Sequence, residues 1–131
     1  MTINDQNFLK IEEIIIGNTK AIIFQNNNTE DYQTGVIIEA EKNINFNYIS
    51  SELINFYFVK LMNINTNTLS NKICCLVSQS IKFTNEAEYN KFFVSKSEIT
   101  KKTKNLIFLK THFFNNQCDI IAFSNSIWKI T

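Results

Sequence analysis

Tyr48, Glu52 and Asn55 stand close together where a long apolar segment begins. Glu52 is the only acid in or near that segment. If the segment is a helix, its first turn offers unpaired N–H groups that favour an anion. A carboxylate placed there can act as a base or nucleophile beside donors that hold a developing oxyanion. It can equally be a charge that only complements the helix dipole. Tyr48 can donate to a carbonyl or carboxylate, or be a plain aromatic at an entrance. Asn55 lies on a neighbouring line of the helix. A buried amide must be paired, so Asn55 is either a structural bridge or a clamp on a substrate.

Other reactive side chains are few. His112 is the only histidine and Cys74, Cys75 and Cys118 the only cysteines, with no metal-ligand spacing. Cys74 and Cys75 point to opposite faces of a strand, and all three thiols read as small buried groups. No metal or cofactor is expected. Lys96, Lys101, Lys102 and Lys104 form a basic group that is either a solvated turn or a contact for phosphates or an acidic surface.

Composition narrows the classes. The chain has 131 residues, 44% of them hydrophobic and 13% aromatic, with a net charge of +1. That suffices for one domain with its own core, drawn over residues 1–131. Every basic residue is lysine. Without the arginine fork, base-edge readout is disfavoured and no nucleic-acid partner is expected. No apolar run approaches the roughly 20 residues of a membrane span, and the first residues lack a signal-peptide layout. The cytoplasm is the expected compartment, with no membrane partner.

These residues need a scaffold. Residues 10–25 read as one or two strands broken at Gly17-Asn18, and Asn26 to Asp31 as a hairpin turn. Gly35 to Glu41 is the next strand. Ser50 to about Asn63 is the one helix, capped by Ser50 or Ser51. Its apolar residues run nearly all round, which predicts burial on most sides. Phe56, Tyr57, Phe58, Phe108, Phe113, Phe114 and Trp128 read as core aromatics. Asn63 to Ser70 reads as a polar connector. Strands follow over Lys72 to Phe83, Phe92 to Thr103, Asn105 to Phe114 and Asp119 to Ile130. In the first of these, Ile73, Cys75, Val77, Gln79 and Ile81 are expected on one side. Asn115-Asn116 suits a tight hairpin. An antiparallel sheet around one central helix accounts for this order, an α+β architecture. One helix cannot cover about five long strands, so a homodimer or higher oligomer is expected.

The helix Tyr48 to Met62 (YISSELINFYFVKLM) and the last strand Asp119 to Ile130 (DIIAFSNSIWKI) resemble the hotdog fold of acyl-CoA and acyl-carrier-protein enzymes. Within it the pattern over residues 20–130 is most similar to the long-chain fatty acyl-CoA thioesterase (FcoT-like) family. The resemblance implies an acyl thioester hydrolase acting on acyl-CoA or an acyl-carrier protein. The alternatives it implies are an enoyl-thioester lyase or transferase, dehydratase-like or glycine-adding, and a non-catalytic acyl-binding module. It points to Glu52, Tyr48 and Asn55 as catalytic. Phe56 would meet the acyl chain, and Lys96, Lys101, Lys102 and Lys104 would meet the phosphates or the carrier. In that family an Asn precedes the helix near the Tyr, where this chain has Ile49.

Overall fold

The computed structural model describes residues 7–26, 33–40 and 48–131. Gly17, at φ +55 in open space, lets the first β-branched runs turn back on each other. They form two strands, β1 (Phe8–Ile16) and β2 (Thr19–Asn26), paired antiparallel. The turn expected at Asn26 to Asp31 lies, past Asn26, outside the described residues. β3 (Gln33–Ala40) pairs with β2 on its other side. The helix α1 (Ser51–Ser70) comes next, then β4 (Cys74–Phe83), β5 (Phe92–Lys102), β6 (Leu106–Asn115) and β7 (Ile120–Ile130).

The strands make one antiparallel sheet of seven, in the order β1-β2-β3-β5-β6-β7-β4. β4 leaves the helix and crosses to the far edge, beside β7. α1 packs on one face. Ile54, Tyr57, Phe58, Leu61 and Met62 meet Ile23, Val36, Phe93, Leu109, Phe113 and Trp128 in a single core. Each such side chain contributes about 1.5–3 kcal/mol on burial. The inward set expected for β5 and β6 is observed, with Phe93, Ser95, Ser97, Ile107, Leu109, Thr111 and Phe113 buried; Val94 on the opposite side is buried too, and a bulge shifts β5 between Ile99 and Lys101.

Several expectations need correction. α1 does not stop near Asn63; it runs to Ser70 and ends on Asn71 at φ 56. The polar run stays helical because its side chains find partners. Asn65 Nδ2 donates to Ser97 Oγ at 2.9 Å, and to Ser95 Oγ and the Ser95 carbonyl at 3.3 Å. The hydroxyls of Thr66, Thr68 and Ser70 donate to the carbonyls four residues back. Polarity alone therefore misread the segment.

A second correction concerns β4. A bulge between Leu76 and Ser78 shifts the alternation, so Cys74, Leu76, Gln79, Ile81 and Phe83 share the helix side. Of the thiols only Cys74 is buried; Cys75 and Cys118 are exposed. The β6–β7 connection is longer than a two-residue turn. Asn115 Oδ1 accepts from the N–H groups of Gln117 and Asp119. Cys118, not an asparagine, takes the left-handed conformation there, at φ 67. Among the expected core aromatics, Phe108 and Phe114 lie half-buried on the outer face. Phe56 is 51% exposed.

Candidate active site

Ser50 starts the helix. Its extended backbone (φ −64, ψ 150) leaves its hydroxyl free to accept from the Leu53 N–H at 3.3 Å. Its carbonyl accepts the first helical bond, from the Ile54 N–H at 3.0 Å. The turn before it is clamped: the buried Ile49 donates its N–H to the Ala87 carbonyl at 2.8 Å, and Tyr48 bridges Glu88. The N–H groups of Ser51 and Glu52 keep no partner among the described residues. Glu52 is exposed in this first turn and has no ion-pair partner among the described residues. The first turn thus carries an exposed acidic residue and two N–H groups without a partner among the described residues.

Asn55 is half-buried, and its Oδ1 accepts from Gln79 Nε2 at 3.2 Å. This bond fastens the helix to the edge strand β4. Sequence reading assigned Gln79 no role, because the bulge that turns it toward the helix leaves no mark in the alternation. Phe56 lies edge-on to Tyr57, 5.2 Å between ring centres, with its outer side open. Leu76 and Phe83 on the same side of β4 are 37% and 43% exposed. Among the described residues β4 pairs only with β7, so this side of the helix faces the edge of the sheet.

Tyr57, a core aromatic by its place in the sequence, is fully buried, and among the described residues its hydroxyl has no partner at full hydrogen-bond geometry. Burial pushes its pKa up; the nearby Thr19 hydroxyl opposes this, and Tyr89 adds to it. The phenol is thus a neutral donor on the helix flank toward β2. Tyr48, half-exposed, lines a polar cavity of about 650 Å³ between residues 85–91 and the β6–β7 turn. Glu86, Glu88 and Asp119 outnumber Lys91 there, which disfavours phosphate.

The structure does not bring the lysines to Glu52 within one chain. Lys96 and Lys101 are exposed on the outer face, Lys101 with its Nζ 5.5 Å from the Phe108 ring centre. Lys102 ends β5 and Lys104 lies in the following turn. That end of the β5–β6 hairpin is opposite the end held near the helix start, where Phe58 meets Phe113. His112 alternates with the buried Thr111 and Phe113, so it points away from α1. A histidine facing the helix, which dehydration would need, is not formed within the chain.

Solved structures with this arrangement decide the fold. The PaaI protein of the Escherichia coli phenylacetic acid degradation operon superposes with a TM-score of 0.69 at 8% identity, over 85% of this chain and 79% of that one. The thioesterase HI1161 from Haemophilus influenzae gives 0.70 at 6%, over 83% and 78%. A hypothetical thioesterase from Streptococcus pneumoniae TIGR4, solved with Coenzyme A, gives 0.65 at 7%, over 92% and 84%. The fold is the hotdog fold. Family models and curated protein sequences give no match to this chain. At such identities the likeness fixes the path of the hotdog chain and not its chemistry. Among the described residues, no helix of this hotdog protein is long and apolar enough to cross a membrane.

Proposed function

We propose that the chain, as one cytoplasmic domain, hydrolyses acyl thioesters as a homodimer with Glu52 as the base. One observation carries this reading: among the described residues Glu52 has no ion-pair partner, and it stands in a first turn whose Ser51 and Glu52 N–H groups have no partner, one turn from the exposed Phe56 ring. A second copy, pairing along β4, would cover that ring and close a groove for the acyl chain. Acyl-CoA is the favoured thioester, since a structural neighbour is solved with Coenzyme A. A long acyl chain, as the FcoT-like resemblance implies, and an acyl-carrier protein are the finer possibilities that substrate profiling separates.

The reaction balances with this chain's own groups. Glu52 takes a proton from water as the oxygen attacks the thioester carbon. The first-turn N–H groups hold the oxyanion. Collapse breaks the carbon–sulfur bond, and the leaving thiolate recovers the proton from Glu52. Asn55, already bonded to Gln79, positions the helix against β4, and Tyr48 flanks the helix start.

The test is thiol release from acyl-CoAs of increasing chain length, measured on the purified protein alongside its sedimentation mass. Turnover by a dimer that requires Glu52 is the expected result. A monomer, or a dimer that binds acyl-CoA without releasing thiol, sinks the hydrolase reading. The second of these outcomes favours an acyl-binding module.

A further inference from the structure

The sheet face turned away from α1 carries a pattern that catalysis does not use. Along β6 it presents Phe108, Lys110, His112 and Phe114 in succession, so an ammonium stands among three rings. Successive outward positions on a strand stand about 6.7 Å apart. Lys96 pairs in register with His112, and Lys101 with Phe108. On the other side Phe123 pairs with His112 and with Lys82 of β4. The His112 and Phe123 rings lie 6.3 Å apart at 30°, and Lys82 Nζ stands 5.9 Å from the Phe123 ring centre. Over β4 to β7 this face carries five lysines (Lys82, Lys96, Lys101, Lys110 and Lys129) against the single acid Glu98. In the whole chain 13 basic residues nearly balance 12 acidic ones. No described element packs over this face.

We propose that it binds single-stranded nucleic acid without sequence preference. The phosphates would lie on Lys96, Lys110 and Lys82, with bases against His112 and Phe123. A single strand offers a ring and a negative charge at every step, and this face offers rings with ammonium groups beside them. The missing arginines remove base-edge readout but not phosphate contact, for which lysine is a sufficient point charge. Composition argued against such a partner; the placement of the lysines argues for it. Burial holds His112 below the usual histidine range, with Lys110 and Lys96 acting the same way and Glu98 opposing. A neutral ring is then available for stacking near pH 7. A second copy fits poorly, because five lysines would meet five lysines. A membrane fits poorly, because the rings are half-buried and lysine ammonium groups stand over two of them, Phe123 and Phe108. A purely acidic protein surface would leave the rings without a role.

The experiment is fluorescence anisotropy with a labelled oligothymidylate on the intact protein, across a salt series. Saturable binding that weakens as salt rises is expected, with a log–log slope of about −0.7 for each lysine engaged. The double variant Lys96→Gln/Lys110→Gln, at exposed positions, should flatten that slope by about 1.4. His112→Ala should weaken binding by about fivefold or more and leave the slope unchanged. Glu52→Gln, on the other face, should bind as wild type, so this result stands apart from the hydrolase reading. Absence of binding at low salt overturns the proposal. So does an unaltered slope in the lysine pair, or polyglutamate or anionic vesicles competing as well as the oligonucleotide.

Discussion

The two halves of α1 depart in different ways from the usual relation between polarity and burial, although Ile54, Tyr57, Phe58, Leu61 and Met62 follow it. In residues 51–62 the sequence is mostly apolar, yet Phe56 stands open and Glu52 has no charge partner among the described residues. In residues 63–70 the sequence is mostly polar, yet Asn65, Thr66 and Ser70 are buried. The sheet explains the second half. Ser95, Ser97, Thr111, Ser124 and Ser126 line the helix-facing side. Ser97 and Thr111 share a 2.9 Å bond, and Trp128 Nε1 donates to Ser126 Oγ at 2.9 Å. Most polar groups buried there have their partners built in; Asn63 Oδ1 and Ser124 Oγ have none among the described residues. In the first half Phe56 and Glu52 have no such polar or charged partner among the described residues, as the proposed dimeric hydrolase would require.

The largest expected effect tests the open half. Glu52→Gln keeps the side-chain volume and removes the base, so thiol release should fall by on the order of 10²–10⁴. The melting temperature should stay unchanged, since the carboxylate is exposed and has no ion-pair partner among the described residues. A variant with wild-type turnover would move the chemistry to Tyr48 and Asn55.

The closed half is tested by Asn65→Ala. Its amide donates to three acceptors, and removal strands the buried Ser95 Oγ and leaves Ser97 Oγ with Thr111 alone. A loss of about 1–3 kcal/mol in urea unfolding is expected, with activity per folded molecule retained. A loss within experimental error would mean that water replaces the amide and that the half is not closed.

Phe56→Ala sharpens the contrast with a smaller effect. A core phenylalanine costs about 3–5 kcal/mol on truncation, as sequence reading expected. At 51% exposure, Phe56 should cost the single chain about 1 kcal/mol or less. Its loss should appear instead as a weaker dimer in sedimentation at low micromolar protein. A large loss of unfolding stability with no change in assembly would mean that Phe56 is buried within one chain.

Much of this scaffold was legible because strand alternation is a local signal. β5 and β6 follow Phe93-Ser95-Ser97 and Ile107-Leu109-Thr111 without interruption. The cap at Ser50 and the acid at Glu52 were legible for the same reason: capping is chemistry between near neighbours. What failed was non-local. The helix past Asn63 depends on hydroxyls some thirty residues away on β5. The bulge at Val77, which brings Gln79 to Asn55, answers to the pairing of β4 with β7. The exposure of Phe56 depends on where β4 crosses to the edge. Each is a tertiary constraint that overrides a local pattern.

His112 gives the smallest expected effect, on the outer face rather than under the helix. Its folded pKa lies below the usual value, first because of burial, then because of Lys110 and Lys96, with Glu98 opposing. Above the unfolded pKa of about 6.5, both states hold the ring neutral and it contributes no pH dependence. As pH falls below that, the unfolded chain binds the proton first and stability declines. The decline ends once pH passes the lower folded value and the folded ring is protonated too. Replacing His112 with Gln removes this contribution, so the variant's stability should fall less than the wild type's on going from pH 7 to 5. Urea midpoints across that range measure the difference. Glu13, held below the usual carboxylate range first by Lys10, titrates at lower pH and is common to both proteins. Parallel curves for the two proteins would mean that the His112 ring titrates alike in both states and that the outer face is more open to water than its half-buried rings suggest.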